Sequence, residues 1–198
     1  MTPLPFIWRP DAILFWIVYL WAFVPEFGLT SRARHGGKGA FAQDRGSMAV
    51  IMLGMWAGLF VAFPLAFTPR FAMPVGLRAP ALWTGTALLV AGSLLRRHCW
   101  RMLGPYFTGN VQTVAGQPVI DRGAYRFVRH PSYTAGMIMF AGIGCALGNW
   151  LSVLVTFVSS IAVYLYRVHV EERALVAALG APYLAFVASR KRFIPFVY

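Results

Sequence analysis

Residues Met48-Ala-Val-Ile-Met-Leu-Gly-Met-Trp-Ala-Gly-Leu-Phe-Val-Ala-Phe-Pro-Leu-Ala-Phe67 decide the fold class, because they form an uncharged apolar run of 20 residues. A helix rises about 1.5 Å per residue and needs about 20 residues to cross the hydrocarbon core of a bilayer. Four further runs are nearly free of charge: 12–29, 80–95, 134–148 and 150–166. We therefore predict an all-α integral membrane protein with about five transmembrane helices.

Composition supports this prediction. The chain is 59% hydrophobic and 12% charged, against about 25% charged residues in a soluble domain. The last two runs are short and are joined by Gly148, Asn149 and Trp150, so they form a tight hairpin that either crosses the bilayer or dips into it. We expect residues 1–100 to form three membrane helices and residues 101–198 the remainder of one integrated domain.

The net charge of +12 is distributed unevenly along the chain. Only Arg9, Arg70 and Arg78 fall on one predicted side of the membrane, whereas the other 15 Lys and Arg residues fall on the opposite side. Since Lys and Arg are retained in the cytoplasm, the N-terminus is predicted outside and the C-terminus inside, in a bacterial inner membrane. Membrane anchoring and attraction to anionic lipid explain most of this charge, so nucleic acid is not implied as a partner.

The helical pattern is interrupted between residues 104 and 133, where six Gly and Pro residues between 104 and 123 favour a loop folded against the bundle. This loop leads into His130, Pro131, Ser132 and Tyr133, directly before the fourth apolar run. Pro131 suits the first turn of a helix. The free amide hydrogens and partial positive charge of a helix start favour a ligand carboxylate there, although a solvated helix end would give the same pattern.

A second polar cluster follows the fifth run, on a helix predicted to leave the membrane and to end at Gly180. Arg167 and Glu171 are four residues apart and share one face, as in an ordinary intrahelical ion pair. However, charged groups near membrane depth are costly unless they pair or serve a cavity. Because the hairpin is tight, we expect His130 and Tyr133 to face Arg167 and Glu171 across one pocket on the cytoplasmic side.

Other polar residues are given ordinary structural interpretations. Glu26, next to Pro25, either faces the pocket or lies at the cytoplasmic end of a kinked helix away from it, and the second interpretation is favoured. Cys99 and Cys145 are interpreted as small core residues. The sequence contains no metal-ligand spacing, and it lacks the glycine-rich strand-to-helix motif of soluble methyltransferases with a Rossmann fold.

The polar motifs occur in a recognisable order over about residues 100–195: Gly123-x-Tyr125, Arg129-His130-Pro131-Ser132-Tyr133, Arg167 with Glu171-Glu172, Gly180-x-x-Tyr183 and Arg192-x-x-Pro195. This pattern resembles the isoprenylcysteine carboxyl methyltransferase family, and a prokaryotic member is expected. The resemblance implies an integral membrane methyltransferase whose C-terminal half encloses S-adenosylmethionine in a cytosolic pocket, with S-adenosylhomocysteine as product. A lipophilic acceptor, such as a prenylated cysteine carboxylate, would enter from the bilayer.

The resemblance also assigns roles to individual residues. Arg167 matches an acceptor-binding arginine, Glu171 matches the acid that binds the amino end of the cofactor, and His130 is expected at the reacting centre as well as at the cofactor. The further cofactor-binding residues are expected to be Gln112, Gln117, Pro118, Val119, Ile120, Tyr125, Pro131, Ser132 and Tyr133. The stretch from Gln112 to Tyr125 is shorter than in the eukaryotic enzymes, which weakens the first five of these assignments.

Alternatives remain open at this point. A carboxylate acceptor needs no general base, whereas an amine or thiol acceptor would need one, for which Glu171, Glu172 and His169 are candidates. An NADPH-dependent sterol-type reductase has a similar Arg-His-Pro-x-Tyr helix start, but it carries an Arg-Asp pair where this chain has Glu171-Glu172. A non-catalytic membrane scaffold or transporter is the third hypothesis.

Overall fold

Six helices account for most of the computed structural model, which describes residues 1–32, 40–42, 44, 46–107, 111–114 and 116–195. Each predicted apolar run coincides with one of the first five helices. The helices are α1 (Pro10–Arg32), α2 (Ser47–Ala66), α3 (Val75–Leu103), α4 (Pro131–Ala146), α5 (Trp150–Leu179) and α6 (Ala181–Ser189). Short 3-10 turns lie at Leu4–Phe6, Pro69–Phe71, Gly104–Tyr106 and Gly123–Arg126.

The architecture is helical, as predicted, with one small two-stranded ladder in addition. Strand β1 (Ala40–Ala42) pairs with β2 (Gln112–Val114) in antiparallel register, with Ala40 opposite Val114. The loop before α4 cannot form a long helix because of its Gly and Pro residues, so its backbone groups need other partners. The ladder supplies some of them and ties this loop to the segment that follows α1.

In the described part of the chain, two helices are long and apolar enough to cross a membrane, α2 and α5. Large apolar side chains such as Leu53 and Phe60 on α2 point outward and are mostly exposed, as expected for a surface in contact with lipid. Helix α4 has 16 residues and is therefore only about 24 Å long. The predicted count of five crossings stays a prediction.

Helices α3 and α4 approach each other at glycines. A Cβ atom on Gly85 would lie 2.4 Å from the carbonyl oxygen of Gly142 and 2.6 Å from the amide nitrogen of Ala146. A Cβ atom on Gly92 would lie 2.6 Å from Cγ of Met139. Small residues at such a contact let two helix backbones pack closely inside a membrane bundle. This contact fixes the position of α4, whose first turn carries predicted site residues.

The turn between α4 and α5 is fastened to the end of α2 by Asn149. Its buried side chain accepts hydrogen bonds from the amides of Leu151 and Ser152 at the start of α5, and its Nδ2 donates to the carbonyls of Leu65 and Thr68 at 3.1 and 3.2 Å. Asn149 is therefore both the N-cap of α5 and a link to α2. The hairpin predicted from the sequence is present, and its turn lies beside the turn that follows α2.

Candidate active site

A cavity of about 420 Å³ lies between α1, α2, α4 and α5, with further walls from α3 and the loop before α4. One part of its lining is apolar and comes largely from α1 and α2. These side chains include Leu20, Phe23, Val24, Met48, Ile51, Met52, Met55, Trp56 and Leu59. The other part is polar and includes Arg96, Tyr125, His130, Tyr133, Arg167 and Glu171. The pocket predicted for the C-terminal half is therefore walled by both halves of the chain.

Arg167 stands at the polar end of the cavity and is buried with 3% of its surface exposed. Its Nη1 donates to Oγ of Ser47 at 2.5 Å and to Oδ1 of Asp44, and its Nε donates to the hydroxyl of Tyr133 at 3.2 Å. A buried guanidinium is costly unless its charge and its donors are satisfied. Asp44 and Ser47 meet this need from the segment that begins α2.

Asp44 is itself held by three groups besides Arg167. Its carboxylate accepts hydrogen bonds from the amides of Met48 and Val111, both at 3.0 Å, and from the hydroxyl of Ser47 at 2.8 Å. Partial burial raises the pKa of a carboxyl group, but these hydrogen bonds and the Arg167 charge outweigh it. The pKa of Asp44 therefore lies below its ordinary value, and this group is ionised at neutral pH.

Tyr133 connects Arg167 and Glu171, which helical spacing predicted to share one face of α5. Its hydroxyl donates to Oε2 of Glu171 and accepts from Nε of Arg167. Its ring stacks on Tyr164 with 4.9 Å between centroids and on His130 with 5.6 Å. The structure thus brings His130, Tyr133, Arg167 and Glu171 to one cavity.

A second guanidinium reaches the cavity from α3. Arg96 forms a bidentate pair with Glu26, and its Nη1 donates to both the carbonyl and the hydroxyl of Ser132 at 3.0 Å. Glu26 lines the cavity, so its interpretation as a helix-end residue away from the pocket is wrong. The sequence could not reveal this, because the partner of Glu26 lies 70 residues further along the chain.

Glu172 faces a different set of groups from Glu171. It lies 3.1 Å from Nε2 of His130, 3.2 Å from Arg129 and 2.9 Å from Arg192. The backbone of the C-terminal tail pairs with the same segment, since the amides of Arg129 and His130 each donate at 2.9 Å to the carbonyls of Lys191 and Arg192. Glu172 and the tail therefore hold the residues that lead into α4.

The predicted site residues divide into two groups. Tyr125, His130, Ser132, Tyr133, Arg167 and Glu171 line the cavity. Pro131 is buried at the start of α4 beside it. Gln117, Pro118, Val119 and Ile120 lie elsewhere, and Val119 lines a shallow cleft against α6.

Gln112 and His169 belong to neither of these groups. Gln112 lies in β2 between Val111 and Thr113, which both line the cavity, but its side chain is outside the described residues. His169, considered above as a base, is exposed on α5 and is not among the described residues that line the cavity.

The polar end of the cavity carries charges of both signs. Among the described residues that line it are the carboxylates of Glu26 and Glu171 and the guanidiniums of Arg96 and Arg167, and Asp44 pairs with Arg167 from outside this lining. Carboxylates and guanidiniums beside an apolar wall suit a charged ligand together with a lipophilic one. Within the part of the chain that the structure describes, no group of three His, Cys, Asp or Glu side chains is placed to hold a metal ion.

Sequence reasoning missed Asp44, and it treated Arg96 as one of many cytoplasmic charges. One signal was available for each residue. Asp44 stands four residues before Met48, where an apolar run was predicted to begin, and an Asp near a helix start can accept hydrogen bonds from its free amides. Arg96 directly follows an apolar run, at a depth where an unpaired charge is costly.

Comparison with known proteins gives consistent matches. Residues 85–177 match the model of the isoprenylcysteine carboxyl methyltransferase family, which confirms the resemblance predicted from the sequence. Protein-S-isoprenylcysteine O-methyltransferases A and B of Arabidopsis thaliana are 27% and 25% identical to the chain over 115 residues. These matches cover 57% of this chain and 58% of either relative, so the chain is aligned with little more than half the length of its curated relatives.

A solved structure shares the fold. The eukaryotic intramembrane Ras methyltransferase, an isoprenylcysteine carboxyl methyltransferase, superposes with a TM-score of 0.64 at 19% sequence identity. The superposition covers 98% of this chain and 70% of that one. The likeness therefore extends to α1 and α2, which lie outside the family match, and it gives the chain the fold of an integral membrane protein.

Proposed function

From the match of residues 85–177 to the model of the isoprenylcysteine carboxyl methyltransferase family, we propose that the chain is a membrane-embedded methyltransferase. It would move the methyl group of S-adenosylmethionine to a lipophilic acceptor, a carboxylate such as that of a prenylated cysteine. The observation that carries this proposal is the cavity, in which a wall of apolar side chains meets a polar end with Arg167, Tyr133 and Glu171.

The residues at the polar end fit the cofactor in charge and in donor type. Glu26 and Glu171 line the polar end and offer carboxylates to a ligand with a sulfonium and an ammonium group. Glu171 would bind the ammonium, and the first turn of α4 at Pro131 and Ser132 would face the cofactor carboxylate. His130, Tyr125 and Tyr133 would surround the remainder, and Gln112 and residues 117–120 stay proposed contacts from the preceding loop.

When bound, S-adenosylmethionine supplies a methyl group on a sulfonium, which is transferred by in-line displacement. The task of the protein is then to align donor and acceptor and to exclude water. Arg167 would hold the acceptor carboxylate through its planar fork of donors. The apolar wall of α1 and α2, with Met48, Met52 and Met55, would hold the lipid chain as it arrives from the bilayer.

The polar end of the cavity would face the cytoplasm. Arg9, Arg70 and Arg78 belong to the opposite end of the bundle, whereas the other Lys and Arg residues of the sequence lie in the C-terminal parts of α1, α3 and α5 or in the segments after them. This asymmetry supports an N-terminus outside and a C-terminus inside. Both substrates would then meet at the cytoplasmic level of the membrane.

Calorimetry on the detergent-purified protein tests the proposal. Wild-type protein should bind S-adenosylhomocysteine and should transfer labelled methyl to a farnesyl-cysteine mimic. Glu171→Gln should weaken S-adenosylhomocysteine binding by about tenfold or more, because a charge-assisted hydrogen bond contributes about 1.5–3 kcal/mol. Asp121→Asn removes the same charge at the shallow cleft against α6 and should leave binding unchanged.

Two results would contradict the proposal. One is well-folded protein that fails to bind S-adenosylhomocysteine. The other is NADPH binding that S-adenosylhomocysteine does not compete with, which would favour a reductase. Mass identification of the labelled product in total membrane lipid would separate a carboxylate acceptor from an amine or a thiol.

A further inference from the structure

Arg167 pairs with a carboxylate that the chain itself supplies. Its Nη1 contacts Oδ1 of Asp44 at 2.5 Å, on the guanidinium that the proposed function assigns to the acceptor. We propose that Asp44 occupies the place of the acceptor carboxylate on Arg167, so that an acid acceptor binds by exchange with Asp44. Asp44 is then a specificity-determining residue, and this inference rests on the function proposed above.

Hydrogen bonds hold the Asp44 carboxylate in a defined position. Asp44 is held by the amides of Met48 and Val111 and by the hydroxyl of Ser47, which fix it at the start of α2 beside β2. Its side chain keeps 16% of its surface exposed, whereas that of Arg167 keeps 4%. The carboxylate is thus less buried than the guanidinium, and it contacts the cavity-lining residues Arg167, Met48 and Val111.

The existing ion pairs of the arginines affect how an acid acceptor can bind. Arg96, the other guanidinium of the cavity, is also paired with a carboxylate, that of Glu26. An arriving acid therefore finds both guanidiniums matched and brings a further negative charge beside Asp44. Like charges at short distance in a partly buried site repel strongly. The acid must either displace Asp44 or bind weakly, whereas a neutral acceptor of the same shape meets no such penalty.

Asp44 lies in a different part of the chain from Arg167. It precedes α2 and lies outside residues 85–177, the part that matches the family. The family-matched half carries Arg167 and Glu171, whereas the N-terminal half carries the group that competes for Arg167. Preference for acid or neutral acceptors can therefore differ between relatives without any change in the matched half.

Binding of two matched probes tests the inference. N-acetyl-S-farnesylcysteine and its carboxamide differ only in the charge of the carboxyl group. With S-adenosylhomocysteine present, wild-type protein should bind the amide at least as tightly as the acid, because the acid must displace Asp44 from Arg167 and the amide need not. Asp44→Asn should bind the acid about tenfold more tightly than wild type does and should bind the amide equally well. Asparagine keeps the capping ability of Asp44.

A control variant separates the effect of Asp44 from a general effect of charge. Asp121→Asn removes an equal charge at the distant cleft and should leave both affinities as in wild type. The inference is overturned if wild type prefers the acid by about tenfold or more, if Asp44→Asn weakens acid binding, or if wild type binds neither probe. If Asp44→Asn does not fold, the wild-type comparison alone decides. Lack of methyl transfer by wild type would instead count against the proposed function.

Discussion

The neighbours of Arg167 determine how its buried guanidinium is held. A buried guanidinium needs several acceptors, and here they come from three elements: Asp44 before α2, Ser47 on α2 and Tyr133 on α4. The planar fork of arginine reaches all three at once, whereas the ammonium of lysine is a compact point charge on a flexible stem. The shape of the side chain therefore matters here as well as its charge.

Arg167→Lys tests this point. We expect methyl transfer to fall by about tenfold or more, because lysine keeps the positive charge but cannot hold a carboxylate in a bidentate pair. Binding of S-adenosylhomocysteine should change by less than about threefold, since Glu171 remains. Steady-state kinetics and calorimetry measure the two effects. Equal losses in both measurements would show that Arg167 acts on the cofactor instead.

The hydroxyl of Tyr133 links Glu171 to Arg167, and Tyr133→Phe removes it while keeping the ring. We expect S-adenosylhomocysteine affinity to fall about threefold to tenfold, because Glu171 loses the group that orients it. Tyr164→Phe is the matched control, since the Tyr164 ring stacks on Tyr133 and is not proposed to contact Glu171. Similar losses in the two variants would assign the effect to packing.

Residues close in sequence were easier to predict than residues joined by the fold. The shared face of Arg167 and Glu171 follows from helical spacing, and the tight hairpin leads to Tyr133 beside them. Glu26 and Asp44 depend on partners 70 and 123 positions away, and spacing carries no information about such pairs. The sequence thus indicated the cavity residues of α4 and α5 but not the carboxylates that neutralise its arginines.

At the scale of elements, the contact between α3 and α4 places the first turn of α4 at the cavity. Gly85→Ala would put a Cβ atom 2.4 Å from a carbonyl oxygen and 2.6 Å from an amide nitrogen of α4. Backbone atoms cannot rotate away, so the helices must separate. We expect a loss of about 1–3 kcal/mol in the free energy of unfolding, read as a lower melting temperature in detergent, together with weaker S-adenosylhomocysteine binding.

The control lies on the same helix. A Cβ atom on Gly76 would meet nothing within 4 Å, so Gly76→Ala should leave the melting temperature unchanged or slightly raise it. A melting temperature of Gly85→Ala equal to that of wild type would show that the two helices have room to adjust.

Glu172 joins three parts of the chain: α5, the residues before α4 and the C-terminal tail. Glu172→Gln leaves Arg129 and Arg192 without their shared anion, and breaking such a partly buried network costs about 3 kcal/mol. Chemical unfolding in detergent should show this loss. Lys191→Gln, at an exposed neighbour in the same tail, should change stability by less than about 0.5 kcal/mol. Equal effects would mean that the tail contributes through its backbone alone.

At the scale of the whole molecule, apolar length and charge placement predicted the helices, whereas the cavity was only partly predictable. Each run of low charge became a helix because a membrane chain must satisfy its backbone internally. The β1–β2 ladder was missed, since strands of three residues leave almost no periodicity. The apolar wall was missed because the outward-facing and cavity-facing residues of α1 and α2 are both apolar.

The number of crossings can be tested through the turn between α4 and α5. This turn lies beside the end of α2, because Asn149 bonds Leu65 and Thr68, and the amide of Met73 donates to the carbonyl of Gly148 at 2.9 Å. Helix α2 has 20 residues, about enough to cross the bilayer. The turn should therefore emerge on the same side as the α2–α3 connection, and α4 and α5 should cross fully.

Single cysteines in a background without Cys99 and Cys145 measure this prediction. A thiol reagent that cannot cross membranes should label Trp150→Cys and Arg70→Cys from outside intact cells, since Trp150 is exposed beside the turn. Arg190→Cys, on the opposite end of the bundle, should be labelled only after the membrane is opened. Labelling of Arg70→Cys without Trp150→Cys would mean that the hairpin stays within the bilayer. Outside labelling of Arg190→Cys would reverse the orientation, and the polar end of the cavity would then face away from cytoplasmic S-adenosylmethionine.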